Sequence, residues 1–178
     1  KKIPYSEKPG AYVRGDGMIV IGDNEPELIN KSEVKLLGEH NLQNICAAAT
    51  AAFEAVGGLD KAKAVLSSFS GLEHRLELVR SLQGVKYYDD SFATTPDAAI
   101  VALKAFNEPK VVILGGSDKG LPFEKLADEV TKSNVRHAVV IGDTAENIST
   151  LLKARGFSEV TLGLKKMPEI VEAAHRLA

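Results

Sequence analysis

Two acids, a serine and two threonines stand together in Tyr87-Tyr88-Asp89-Asp90-Ser91-Phe92-Ala93-Thr94-Thr95-Pro96-Asp97. A β-type run over 84–88 precedes them, and the helix-type run Ala98-Ala99-Ile100-Val101-Ala102-Leu103 follows. The polar cluster therefore falls where a strand hands over to a helix. In open α/β sheets ligands gather at the carboxyl ends of strands, and amides of the first helical turn lack intrahelical partners and face an anion or carboxylate there. A plainer role is equally open at this level. Thr94 or Thr95 would cap the helix, Pro96 would sit in its first turn, and Asp89 and Asp90 would be solvated.

A second group with chemical capacity is Gly115-Gly116-Ser117-Asp118-Lys119-Gly120. Its glycines allow close backbone approach, and Lys119 offers a point cation to a carboxylate or phosphate. The spacing is neither that of a Walker A loop nor Gly-x-Gly-x-x-Gly, and a glycine turn with a solvated lysine would have the same sequence. His40-Asn41-Leu42-Gln43-Asn44 opens an alanine-rich helix. Asn41 reads as its N-cap with Asn44 one turn on, although amide side chains can also donate to and accept from an adenine edge. His74-Arg75 offers either a hinge with a surface ion pair or an arginine for phosphate. No His, Cys, Asp or Glu set has metal-ligand spacing, and no Gly-x-Ser-x-Gly elbow is present. Cys46, the single cysteine, excludes an intramolecular disulfide and reads as a small core residue.

These residues must be positioned by a fold, and the rhythm of the chain indicates which. Over 1–37 the pattern is β: Ala11-Tyr12-Val13-Arg14 and Met18-Ile19-Val20-Ile21 flank the hairpin loop Gly15-Asp16-Gly17, with a third short strand over 33–37. A helix over 42–56 is stopped by Gly57-Gly58, and Asp60 caps a second over 61–69. Residues 70–75 separate this part from a hairpin, 76–80 and 85–88. Strands over 110–114, 137–141 and 159–162 then alternate with helices over 97–106, 123–133 and 145–155 and a last one from Met167. The runs Val111-Val112-Ile113-Leu114 and Ala138-Val139-Val140-Ile141 are continuously apolar, as buried parallel strands require. Right-handed crossovers then give a Rossmann-like open α/β sheet with loops 89–95, 115–120 and 142–144 on one edge.

With 178 residues, 44% of them hydrophobic and 26% charged, the chain can bury a real core. A net charge of −2 gives no basic footprint for nucleic acid. No apolar run reaches membrane-span length, so a cytoplasmic protein without a membrane partner is expected. The opening at Lys1 and the stop at Ala178, inside a run with helical spacing (Ile170, Val171, Ala174, Leu177), read as a segment of a longer protein.

Four motifs follow in order: Gly38-Glu39-His40-Asn41-x-x-Asn44, Gly71-Leu72-Glu73-His74-Arg75-Leu76-Glu77, Asp89-Asp90-Ser91-x-Ala93-Thr94-Thr95-Pro96 and Leu114-Gly115-Gly116-x-x-Lys119. Their succession closely resembles the Mur ligases, and within them the D-glutamate-adding branch. The resemblance implies that 1–72 is the end of the ATP-binding central domain and 73–178 most of the Rossmann-like C-terminal domain. It implies an ATP-dependent ligase, monomeric, that adds D-glutamate to UDP-N-acetylmuramoyl-L-alanine through an acyl phosphate in peptidoglycan precursor synthesis. By motif, Asn41 and Asn44 would lie beside adenine, His74 and Arg75 would reach ribose and phosphate, and Asp90 would accept from a ribose hydroxyl. Thr94 and Lys119 would hold the carboxylates of D-glutamate. Magnesium (Mg2+) ligands and the phosphate loop would lie upstream of Lys1, so the segment alone is expected to be inactive. The family often carries lysine where this chain has Phe92, and asparagine where it has Thr95. Asp-x-Ala-His, which would suggest a folylpolyglutamate synthase, is absent. A reading from another class is a non-catalytic Rossmann-like binding module.

Overall fold

The structure is a computed structural model that describes residues 2–178. The chain divides into two compact units, the first ending at Glu77 and the second comprising Leu78–Ala178.

The first unit opens with an antiparallel sheet of β1 (Ala11–Val13), β2 (Met18–Ile21) and β3 (Glu27–Asn30) in sequence order. Ala11 pairs with Ile21 and Ile19 with Ile29, with an irregularity between Ile19 and Val20. The third strand is therefore not at 33–37 but earlier. Local chemistry ends it: the Asn30 side chain accepts from the Ser32 amide at 3.0 Å while Glu33 reaches back to the Asn30 amide. This reciprocal capping winds Lys31–Glu33 into a 3-10 turn.

Helix α1 (Glu39–Val56) lies against this sheet. Its buried residues Leu42, Ile45, Cys46, Ala49 and Thr50 follow the spacing of one helical face. Thr50 is tolerated inside because its hydroxyl accepts from the Ala11 amide at 2.8 Å and donates to the Cys46 carbonyl at 2.7 Å. Gly57, at φ 72°, closes the helix with its amide on the Phe53 carbonyl. The helix starts earlier than Asn41: Gly38 is the N-cap, so Asn41 is already inside the first turn. The short helix α2 (Ala62–Ser68) has Lys61 at its N-cap, with no side-chain cap from Asp60.

The second unit opens with a two-stranded hairpin of β4 (Glu77–Leu82), whose first residue is the last of the first unit, and β5 (Val85–Asp89). Gln83 and Gly84 both have positive φ, 50° and 85°, as a two-residue turn with the right twist requires. A parallel sheet follows in the order β6 (Lys110–Gly115), β7 (Val135–Ile141), β8 (Val160–Thr161). The hairpin expected over 76–80 and 85–88 is present, but the strand before loop 89–95 pairs in this separate sheet and not in the parallel one whose edge the sequence reading gave to that loop. Rings hold β5 within the unit: Tyr88 meets Phe106 with centroids 4.6 Å apart, and the Tyr87 hydroxyl bonds His175 Nδ1.

Central strand β7 carries the core. Ala138, Val139 and Val140 are essentially fully buried. Ala138 and Val140 join Leu126, Ala127 and Val130 of α4 (Glu124–Lys132) and Ile148 and Leu152 of α5 (Ala145–Ala154). Val139 alternates to the other face, and α6 (Met167–Leu177) packs on β6 and β7 with Ile170 buried. Each buried valine, leucine or isoleucine side chain here contributes about 1.5–3 kcal/mol by leaving water. No helix among the described residues is long and apolar enough to cross a membrane.

Candidate functional site

The register of the parallel sheet places the carboxyl ends of β6 and β7 side by side, with Gly115 paired to Ile141. Two loops leave from that point and their backbones cross almost in contact. A Cβ on Gly115 would stand 2.1 Å from the Ile141 carbonyl oxygen, and one on Gly142 would stand 2.6 Å from the Gly116 oxygen. Both positions also have positive φ, 118° and 71°. Only glycine satisfies both constraints.

Beyond the crossing, Asp118 Oδ1 accepts from the Gly120 amide at 2.8 Å and closes a side-chain-braced turn around Lys119. The Lys119 ammonium then reaches the third loop and donates to the Thr94 carbonyl at 3.3 Å. Loop 89–95 is braced from within. Asp89 Oδ1 accepts from the Ser91 amide at 2.9 Å, and the Ala93 amide donates to the Asp90 carbonyl at 2.8 Å. Helix α3 (Pro96–Lys104) starts directly after it. Its cap is Thr95, whose side chain accepts from the Ala98 amide at 3.3 Å, with Pro96 in the first turn. Capping and ligand contact thus need not compete for one hydroxyl, because the cap belongs to Thr95.

Lys119 and Thr94 are therefore brought together, on an edge with Gly115 and Gly116. Phe92 projects from the same loop and is strongly exposed. This collection of an ammonium, hydroxyls and backbone amides suits a carboxylate.

Asn41 and Asn44 belong to the first unit and form a ladder on α1. Asn41 Nδ2 donates to the Leu37 carbonyl at 2.8 Å, and Asn44 Nδ2 donates to Asn41 Oδ1 at 3.2 Å. Asn41 thus fixes the approach to the helix, and Asn44 is held one turn further on. His74 has φ 62° and its amide donates to Glu77 Oε2 at 2.8 Å, while the Arg75 amide bonds the Leu72 carbonyl. The chain bends sharply through His74-Arg75, where Gly71 and Leu76 also have positive φ.

One residue of the edge escaped the sequence reading. Thr144 stands at the N-cap of α5 and is 3% exposed, yet makes no cap hydrogen bond to its own helix. Its hydroxyl instead meets the Gly116 amide at 3.2 Å. A threonine before a helix reads as a cap, so its type and spacing gave no other signal.

The sequence matches the family described as Mur ligase, glutamate ligase domain, over residues 74–178. It is 38% identical over 169 residues to the UDP-N-acetylmuramoylalanine–D-glutamate ligase of Clostridioides difficile, covering 95% of this chain and 37% of that protein. The enzyme of the same name from Symbiobacterium thermophilum is 38% identical over 172 residues, covering 96% and 38%. The chain thus spans well under half the length of these curated relatives. In fold it is similar to the crystal structure of UDP-N-acetylmuramate-alanine ligase from Thermotoga maritima, with a TM-score of 0.64 at 23% identity over 87% of this chain and 35% of that one. It is also similar to MurF from Acinetobacter baumannii, with a TM-score of 0.64 at 16% identity, covering 87% and 36%.

Proposed function

This chain belongs to the Mur ligase family, and from that premise we propose that it is the C-terminal part of an ATP-dependent ligase joining D-glutamate to UDP-N-acetylmuramoyl-L-alanine. Residues 1–72 are read as the end of the central, ATP-binding domain and 73–178 as the C-terminal domain. The observation that carries the reading is the Lys119 ammonium against the Thr94 backbone, at the strand-end edge where a carboxylate would bind.

In this reaction the substrate carboxylate takes the terminal phosphoryl group of ATP and ADP leaves. The D-glutamate amine attacks the acyl carbon, phosphate departs and the amide remains. The role of this chain is largely positional. Lys119 and Thr94 hold the carboxylates of D-glutamate and so aim its amine. Asn41 and Asn44 lie beside adenine, His74 and Arg75 serve ribose and phosphate, and Asp90 accepts from a ribose hydroxyl. Magnesium offsets phosphate charge when bound. Its ligands are placed upstream of this chain, as the family resemblance implies.

The test is phosphate release. The full-length ligase containing this chain is expected to release phosphate from ATP only when UDP-N-acetylmuramoyl-L-alanine and D-glutamate are both present, and this chain alone is expected to release none. Equal turnover with another amino acid or with a folate would overturn the substrate assignment.

A further inference from the structure

The N-cap of α5 breaks the rule that a threonine there bonds its own helix. Thr144 is buried, and its side chain makes no bond to the amides of α5. It faces the other loop instead. Thr144 Oγ1 accepts from the Gly116 amide at 3.2 Å and lies 3.4 Å from the Gly116 carbonyl oxygen, while the Thr144 amide donates to that same oxygen at 3.2 Å. One residue of loop 142–144 thus grips both polar groups of one glycine in loop 115–120.

A grip of this kind has a purpose that a cap would not serve. Gly116 has φ 149° and an added Cβ there would meet nothing, so no side chain packs on that residue, while its backbone lies against Gly142, where an added Cβ would stand 2.6 Å from the Gly116 oxygen. That close approach leaves the Gly116 peptide near the Gly142 backbone, the Thr144 hydrogen bonds hold it there, and three residues beyond it stands Lys119. The Asp118–Gly120 turn orients Lys119 within the loop. What orients the loop on the sheet is the backbone crossing of Gly115 with Ile141 and of Gly116 with Gly142, together with the Thr144 hydroxyl.

We propose that Thr144 is a positioning residue for amino-acid binding: it fixes the Gly116 peptide, and through it the reach of Lys119 toward Thr94. The proposal rests on the reading above that Lys119 and Thr94 hold the incoming amino acid. It assigns Thr144 no contact with substrate. Removing the hydroxyl therefore loosens the loop and weakens the ground-state hold on the amino acid, without removing a group that acts on the reacting atoms.

The test compares Thr144→Val, which keeps shape and burial but cannot hydrogen-bond, with Thr144→Ser, which keeps the hydroxyl. Amide hydrogen exchange on this chain needs no substrate. In Thr144→Val, exchange at Gly116, Lys119 and Gly120 is expected to accelerate roughly tenfold, the loss of about one hydrogen bond, with α4 and β7 unchanged and with Thr144→Ser near wild type. In the full-length ligase, Thr144→Val is expected to raise KM for D-glutamate roughly tenfold, with kcat and the KM for ATP within about twofold and recovery in Thr144→Ser. Unchanged loop exchange in Thr144→Val overturns the proposal. So does a looser loop with an unaltered KM for D-glutamate. If Thr144→Val does not fold, Thr144→Ala takes its place in both arms with the same expectations. If wild-type ligase does not use D-glutamate, the functional reading fails on its own, KM is measured for the amino acid it does use, and the exchange arm still decides the grip.

Discussion

At the scale of residues, adjacent threonines have different duties. Thr95 takes the cap of α3 through the Ala98 amide, and Thr94 presents its carbonyl to Lys119. Substitutions should separate them. Lys119→Met in the full-length ligase is expected to raise KM for D-glutamate roughly tenfold or more, the value of a charge-assisted hydrogen bond, while leaving the melting temperature within about one degree because the side chain is exposed. Thr95→Ala is expected to lower stability by about 1 kcal/mol through the lost cap. Calorimetry and steady-state kinetics on the two variants check both expectations. The sequence had offered Thr94 or Thr95 as cap without choosing, since either precedes Pro96 by a distance that fits. The choice depends on backbone geometry: Thr95 is extended, at φ −133° and ψ 153°, as an N-cap must be. Cys46 is simpler. Its burial on α1 pushes the thiol pKa up, so it behaves as the small core residue its alanine-rich surroundings suggest.

At the scale of elements, α4 and α5 are tied by an ion pair in addition to their shared core. The Arg155 side chain, at the end of α5, bonds Asp128 of α4 and also donates to the Leu151 carbonyl at 3.1 Å. The hydrogen bond from Arg155 holds the Asp128 carboxyl below its ordinary range. A carboxyl lowered on folding stabilises the fold above its unfolded value, near pH 4, and that contribution is lost as pH falls through the folded value. Asp128→Asn should therefore be less stable than wild type at pH 7, with the gap closing below about pH 4. Urea midpoints at pH 7, 4 and 3 measure it. Elements were unequally legible in the sequence. Strands β6 and β7 announced themselves because a strand covered on both faces is apolar throughout. Strand β3 did not: Glu27-Leu28-Ile29-Asn30 is too short to show alternation, and the capping by Asn30 and Glu33 that ends it is a side-chain event. The start of α1 was misread for a related reason. Asn41 looks like a cap, but its side chain bonds back to Leu37 and the helix begins at Glu39.

At the scale of the whole molecule, what the sequence conveyed best was order. Four motifs, each ordinary alone, pointed to a family through their succession, and the family match over 74–178 covers the last two of them and part of the second. What it could not convey was which loops touch. The parallel register of β6 and β7 brings Gly115 beside Ile141, and that contact across the sheet is invisible to local pattern. It also has a consequence for how the chain tolerates change. In a deep mutational scan of the chain read out by folding, nearly every replacement at 115 and 142 is expected to be depleted, since a Cβ there collides with backbone that cannot swing aside. At Gly15 and Gly58 an added Cβ would meet nothing and φ is not left-handed, so most replacements should survive. The two intolerant glycines carry no functional group of their own. Their columns would be as bare as those of catalytic residues, and the scan would mark the crossing of two backbones where it appeared to mark chemistry.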